Sequence, residues 1–139
     1  MTLRDELYRF IRAQRYGVVS SVAADGAPQS ALVGIAVTPA LEIYFDTTGS
    51  TRKAPNLQHD PRTAIVIGWD NEQSVQYEGI ADEPKGDELV ALKRVYFEAW
   101  PDGPGRESWD GITWFRVKPR WIRFSDFNRT NDAVREMTF

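Results

Sequence analysis

The chain has 139 residues, a formal net charge of −3, 42% hydrophobic and 27% charged residues, the composition of a single soluble domain over residues 1–139. It has no cysteine and one histidine, His59, which excludes disulfides and thiolate chemistry and argues against a metal site or a Ser-His-Asp triad. The acidity argues against a nucleic-acid partner. Without an apolar run of transmembrane length or a signal-like N-terminus, we expect a cytoplasmic protein with no membrane partner.

The first third of the chain predicts one helix followed by three strands. Thr2 and Asp5 have the spacing of a capping box, which predicts an amphipathic helix over residues 3–14. Runs rich in β-branched and apolar residues predict strands over residues 18–22, 29–37 and 41–45. Because the connecting turns are short, we expect these three strands to form an antiparallel meander.

The remainder predicts four more strands and a second long helix. The strands are expected over residues 63–69, 74–82, 112–117 and 120–124, with a bulge at Gly79 and an interruption at Pro119. A helix is expected over residues 85–99 and a loop over 101–111, whereas the tail, residues 128–139, has no firm pattern. The sequence therefore predicts a mainly β protein, a barrel of six to seven antiparallel strands with flanking helices.

The sharpest local pattern is IYFDTTGSTRKAPNLQHD, residues 43–60. A strand ends there in a glycine turn rich in hydroxyls, and Ser50 or Thr51 is expected to cap a short helix. Arg52 and Lys53 place two cations in the first helical turn, where the helix dipole disfavours them. A phosphate would compensate both cations and accept hydrogen bonds from the turn. The competing interpretation is an ordinary hydroxyl cap beside two solvated cations.

This stretch resembles the pyridoxamine 5′-phosphate oxidase-like group, the FMN-binding split barrels. Members of that group have an aromatic-Thr strand end, a Ser-Arg-Lys-Ala phosphate corner and an Asn-Pro-Arg turn. The corresponding segments here are Tyr44-Phe45-Asp46-Thr47, Gly49-Ser50-Thr51-Arg52-Lys53-Ala54 and His59-Asp60-Pro61-Arg62. The resemblance covers most of the chain, although only its middle third is specific.

The resemblance implies a homodimer that binds FMN between its subunits. Ser50, Arg52 and Lys53 would hold the FMN phosphate, and Asp46 or Thr47 would lie near the ribityl chain or the ring. Further contacts with the flavin are implied for Ser30, Ala31, Leu32, Val33 and Gln76. Trp121, with Arg123 and Phe124, would close the pocket of the partner subunit.

Three departures from the family pattern argue against pyridoxamine phosphate oxidation itself. Thr51 is an extra residue between Ser50 and Arg52, the second strand lacks the family's basic residues, and the C-terminal substrate segment is missing. We therefore expect a flavin-dependent oxidoreductase acting on an unidentified small substrate. No catalytic residue is evident; Tyr44, Asp46 and His59 are nearby candidates, each of which also fits a structural role.

Other interpretations remain open at this point. The same barrel is compatible with a deazaflavin-dependent reductase, or with a non-catalytic module for flavin, haem or pyridoxal phosphate. The corner also fits a cap with nothing bound. Residues 114–129 interleave arginines with aromatic residues, as single-strand nucleic-acid platforms do. Aromatic residues facing inward and arginines facing outward explain that pattern equally well.

Overall fold

The computed structural model describes residues 1–139. It contains three α-helices, α1 (Leu3–Gln14), α2 (Lys53–His59) and α3 (Gly86–Ala99), and a 3₁₀ turn at Gly103–Arg106. The eight strands are β1 (Tyr16–Val22), β2 (Pro28–Gly34), β3 (Ala36–Val37), β4 (Ile43–Thr48), β5 (Arg62–Ile67), β6 (Gln73–Asp82), β7 (Ile112–Asp126) and β8 (Val134–Thr138). No helix has the length and apolar character that crossing a membrane requires.

The predicted capping box starts α1. The Thr2 side chain accepts a hydrogen bond from the Asp5 amide, and the Asp5 carboxylate accepts one from the Thr2 amide. Leu7 and Ile11, one helical turn apart, are fully buried. The helix therefore covers one end of the barrel core with its apolar stripe.

All the strands belong to one antiparallel sheet in the order β2-β1-β5-β6-β7-β4-β3, and β8 pairs with β7. The two strands at the ends of this order, β2 and β3, are separated in the chain by Ile35 alone. A one-residue link cannot span an open sheet, so the sheet curls until its ends lie side by side. The predicted mainly β barrel with flanking helices is confirmed.

The predicted meander is wrong. Residues 29–37 do not form one strand, because the chain leaves β2 at Ile35 and joins the opposite end of the sheet as β3. As a result β2 forms a hairpin with β1, and β3 forms a second hairpin with β4. The continuous apolar run resulted from burial on both sides of this crossover rather than from one long strand.

Two differences concern the last strands. The chain does not break at Pro119, because β7 runs continuously from Ile112 to Asp126. A bulge was predicted at Gly79, and the register does shift between Glu78 and Gly79, but the extra residue is Arg120 on β7, opposite this glycine. The tail, which had no clear pattern, forms β8 along the edge of β7.

Tyr77 connects three parts of the barrel from within its core. It is 1% exposed, and its hydroxyl lies 2.8 Å from the Leu41 carbonyl oxygen and 3.0 Å from that of Val117. Leu41 has a φ of 65°, a backbone conformation that leucine rarely adopts. The tyrosine therefore helps to hold the turn that feeds β4 in place.

Replacing Tyr77 with Phe should lower the free energy of unfolding by about 1–2 kcal/mol, because two buried carbonyls lose a donor. Chemical denaturation measures this change. Tyr8→Phe is the matched control, because the half-buried Tyr8 hydroxyl makes no hydrogen bond within the protein. Equal stability of the two variants would show that the Tyr77 hydroxyl contributes nothing.

Candidate functional site

The corner after β4 is held together by its own hydroxyl groups. Thr51 donates from Oγ1 to the Thr48 carbonyl oxygen at 2.9 Å, and the Thr47 and Thr51 hydroxyls lie 2.8 Å apart. The hydroxyls of Thr48 and Ser50 also lie 2.8 Å apart. Neither Ser50 nor Thr51 caps α2, because Arg52 occupies the N-cap position without a side-chain cap. That prediction was wrong, since the hydroxyls fold the turn instead.

A cavity of about 430 Å³ lies between this corner and the edge of β2. Ser30 and Ala31 line it from β2, and Thr51, Arg52 and Lys53 line it from the corner. Four of the residues predicted to bind a cofactor therefore lie around one space. Ser50, which we expected to hold the phosphate, faces Thr48 and does not line the cavity.

The two cations at the cavity have no anionic partner. Neither Arg52 nor Lys53 takes part in any of the protein's ion pairs or side-chain hydrogen bonds. Burial lowers the pKa of the Lys53 ammonium, and the nearby Asp46 carboxylate opposes this effect. A partly desolvated ammonium without a counterion gains most when an anion enters the cavity.

A buried amide fixes α2 against the sheet beside the cavity. Asn56, 9% exposed, donates from Nδ2 to the Ser21 hydroxyl at 3.1 Å and to the Gln29 side-chain oxygen at 2.7 Å. Ser21 and Gln29 also line the cavity. Asn56 was not among the predicted site residues, although it stands between the buried Ala54 and Leu57 of α2 as a polar residue in an apolar stretch.

Asp46 faces away from Thr47. Successive side chains of β4 alternate between the barrel interior and the layer covered by α3. On the α3 side, the Asp46 carboxylate accepts from Arg106 Nε at 3.1 Å and lies 3.4 Å from the Tyr96 hydroxyl. The Asp46 and Arg106 side chains are only 12% and 17% exposed. Asp46 thus forms an ion pair with Arg106 under α3. Of the two residues predicted to lie near the cofactor, only Thr47 lies at the corner.

Three of the other predicted residues lie on the side of the sheet that faces away from the barrel core. We call this side the outer face. Leu32 on β2, Gln76 on β6 and Trp121 on β7 all point there. A cross-strand row joins two of them through the pairs Leu32–Val18, Val18–Val66 and Val66–Gln76. Ser30 belongs to the neighbouring row, with its hydroxyl 2.9 Å from that of Ser20. Val33, by contrast, is part of the core.

A curled antiparallel sheet with a basic cavity beside β2 defines the chain as a small split-barrel protein. A family model described as pyridoxamine 5′-phosphate oxidase matches residues 3–126. The chain therefore belongs to that family.

One curated relative is a pyridoxine/pyridoxamine 5′-phosphate oxidase of Bordetella avium (strain 197N). It is 30% identical over 92 residues, which cover 66% of this chain and 42% of the relative. The chain thus matches less than half the length of this oxidase.

Solved structures share the fold at low sequence identity. A haem-binding protein from Mycobacterium smegmatis superposes with a TM-score of 0.83 at 20% identity, covering 99% of this chain and 59% of its own. The haem storage protein HutZ from Vibrio cholerae superposes with a TM-score of 0.73 at 18% identity, covering 86% of this chain and 92% of its own.

Proposed function

We propose that this protein binds FMN and acts as a flavin-dependent oxidoreductase on a small substrate. The observation that carries the proposal is the cavity of about 430 Å³ with two unpaired cations, Arg52 and Lys53, at its wall. The FMN phosphate is an anion of the right kind for this wall, because it would pair with both cations. Arg52 and Lys53 would hold the phosphate, and Ser30 and Ala31 would lie along the group attached to it.

FMN, when bound, would supply the redox chemistry, and the chain would supply orientation and electrostatics. The departures from the family pattern, together with the short match to the oxidase, favour a substrate other than pyridoxamine phosphate. The residues at the cavity include no histidine or carboxylate. The protein's part is therefore to bind the cofactor, fix its position and exclude water.

The proposal includes a homodimer formed through an apolar patch at one end of the outer face, on β1, β2 and β5. Tyr16, Leu32 and Val66 are 44%, 61% and 43% exposed there, and the strand pairing makes them neighbours on β1, β2 and β5. An apolar patch on a sheet is a typical interface between subunits. Because Leu32 and Ser30 lie on the same strand, a partner packed on this patch would also border the cavity.

Haem is the competing cofactor, because two structural neighbours are named for it. A haem site normally supplies a side chain that ligates the iron, most often histidine. His59 is exposed at the end of α2 and does not line the cavity. The unpaired cations would suit a flavin phosphate or the propionates of a haem, so the lack of a histidine at the cavity is what favours flavin.

The test is an absorption spectrum of the purified protein before and after incubation with FMN and gel filtration. We expect flavin absorption bands at ~370 and ~450 nm to co-elute with the protein. Haemin in a parallel sample should elute separately. A protein that retains haemin but not FMN would overturn the proposal. If a third sample shows that only a deazaflavin is retained, the cofactor is a deazaflavin and the proposed phosphate site stands.

A further inference from the structure

A second cavity, of about 510 Å³, lies at the other end of the outer face from the apolar patch, where β1, β5, β6 and β7 run side by side. We call it the sheet cavity. Val22, Ala64 and Ile80 provide its apolar surface, and Arg62, Glu78 and Arg120 are its charged residues. It shares Ser21 and Pro28 with the cavity at Arg52 and Lys53. A ligand here would therefore lie beside a group held at Arg52 and Lys53.

A β-bulge directs Arg120 into the sheet cavity. Glu78 pairs with Trp121 and Gly79 pairs with Pro119, which leaves Arg120 without a partner on β6. Such an extra residue changes the direction of its side chain relative to normal alternation. The bulge also depends on glycine, because a Cβ at Gly79 would lie 2.5 Å from the Lys118 carbonyl oxygen. The bulge and the glycine opposite it together place this arginine.

Arg120 differs from the other arginines of β7. Arg116 is paired with Asp82 and Glu88, and Arg123 is paired with Glu136. Arg120 has no carboxylate within ion-pair distance, even though Glu78 lines the same cavity. Arg62 is already engaged by Asp60 through two hydrogen bonds. The sheet cavity thus offers one uncompensated cation and one uncompensated anion above an apolar surface.

We propose that the sheet cavity binds a small zwitterion with an apolar body, the chemical class of the apolar amino acids. Arg120 would bind the carboxylate, which a guanidinium can engage with two parallel hydrogen bonds. Glu78 would accept from the ammonium group. The apolar body would cover Val22, Ala64 and Ile80. A ligand with only one charge would leave Arg120 or Glu78 without a partner, which is why both charges are required.

Three related probes test the proposal on the purified full chain: L-phenylalanine, 3-phenylpropanoate, which lacks the ammonium, and 2-phenylethylamine, which lacks the carboxylate. Titration calorimetry should show that L-phenylalanine binds at least about tenfold more tightly than either analogue. Arg120→Gln should remove the advantage over 2-phenylethylamine, and Glu78→Gln should remove the advantage over 3-phenylpropanoate. The Ala64 methyl resonance should shift with L-phenylalanine.

Arg94→Gln is the matched control, because Arg94 is an exposed, unpaired arginine on α3, away from the sheet cavity. It should bind all three probes as the unaltered protein does. No binding of L-phenylalanine, or equal affinity for all three probes, would overturn the proposal. Binding that shifts no resonance of the sheet cavity would overturn it as well.

Discussion

The variant Arg52→Ala/Lys53→Ala should bind FMN about 100-fold more weakly than the unaltered protein. Hydrogen bonds to charged groups contribute about 1.5–3 kcal/mol each, and the loss of two such contacts corresponds to roughly two powers of ten in the dissociation constant. The fold should survive, because neither side chain makes a hydrogen bond or ion pair in the structure. Fluorescence titration with FMN measures the change.

Riboflavin provides the matched ligand for this experiment, because it has the flavin ring and the ribityl chain but no phosphate. Its affinity should be the same for the double variant and the unaltered protein. The control variant Lys85→Ala/Arg94→Ala removes two exposed cations at α3 and should leave FMN affinity unchanged. If the unaltered protein binds FMN and riboflavin equally well, Arg52 and Lys53 do not form the phosphate site.

The corner after β4 was predicted from the sequence only in part. The pattern of Arg52 and Lys53 after a hydroxyl-rich turn predicted a phosphate site at the corner, whereas the place of Ser30 and Ala31 beside it was implied by the family resemblance alone. The prediction that Ser50 or Thr51 caps α2 was wrong, because both hydroxyls form hydrogen bonds with Thr48 within the turn. Sequence spacing says which groups are close together, but the choice among equivalent hydrogen-bond partners depends on the final backbone path.

The strand order could not be derived in the same way. An apolar run such as residues 29–37 reports burial, and burial is the same whether the chain continues in one strand or crosses to another edge at Ile35. The side of the sheet that a residue of β2, β3 or β7 faces depends on this crossover and on the bulge at Arg120. For that reason the placement of Arg120 became clear only with the fold, as did the fact that Asp46, and not Thr47, faces α3.

Leu32→Glu should convert the proposed dimer into a monomer. Leu32 is 61% exposed beside Val18 in the apolar row of the outer face. In a twofold interface the same residue is present on both subunits, so the variant would bury two carboxylates. An unpaired buried charge costs several kcal/mol, which should raise the dimer dissociation constant at least about 100-fold. Sedimentation at low micromolar concentration measures this.

Val90→Glu is the matched control. Val90 is 56% exposed on α3, so this substitution introduces the same charge away from the outer face. It should remain dimeric. FMN titration of the Leu32 variant then separates two arrangements. If its affinity falls together with dimerisation, the partner subunit completes the cofactor site, as the position of Ser30 beside Leu32 on β2 suggests. If the unaltered protein sediments as a monomer, the outer face has another role and the cavity at Arg52 and Lys53 must hold FMN alone.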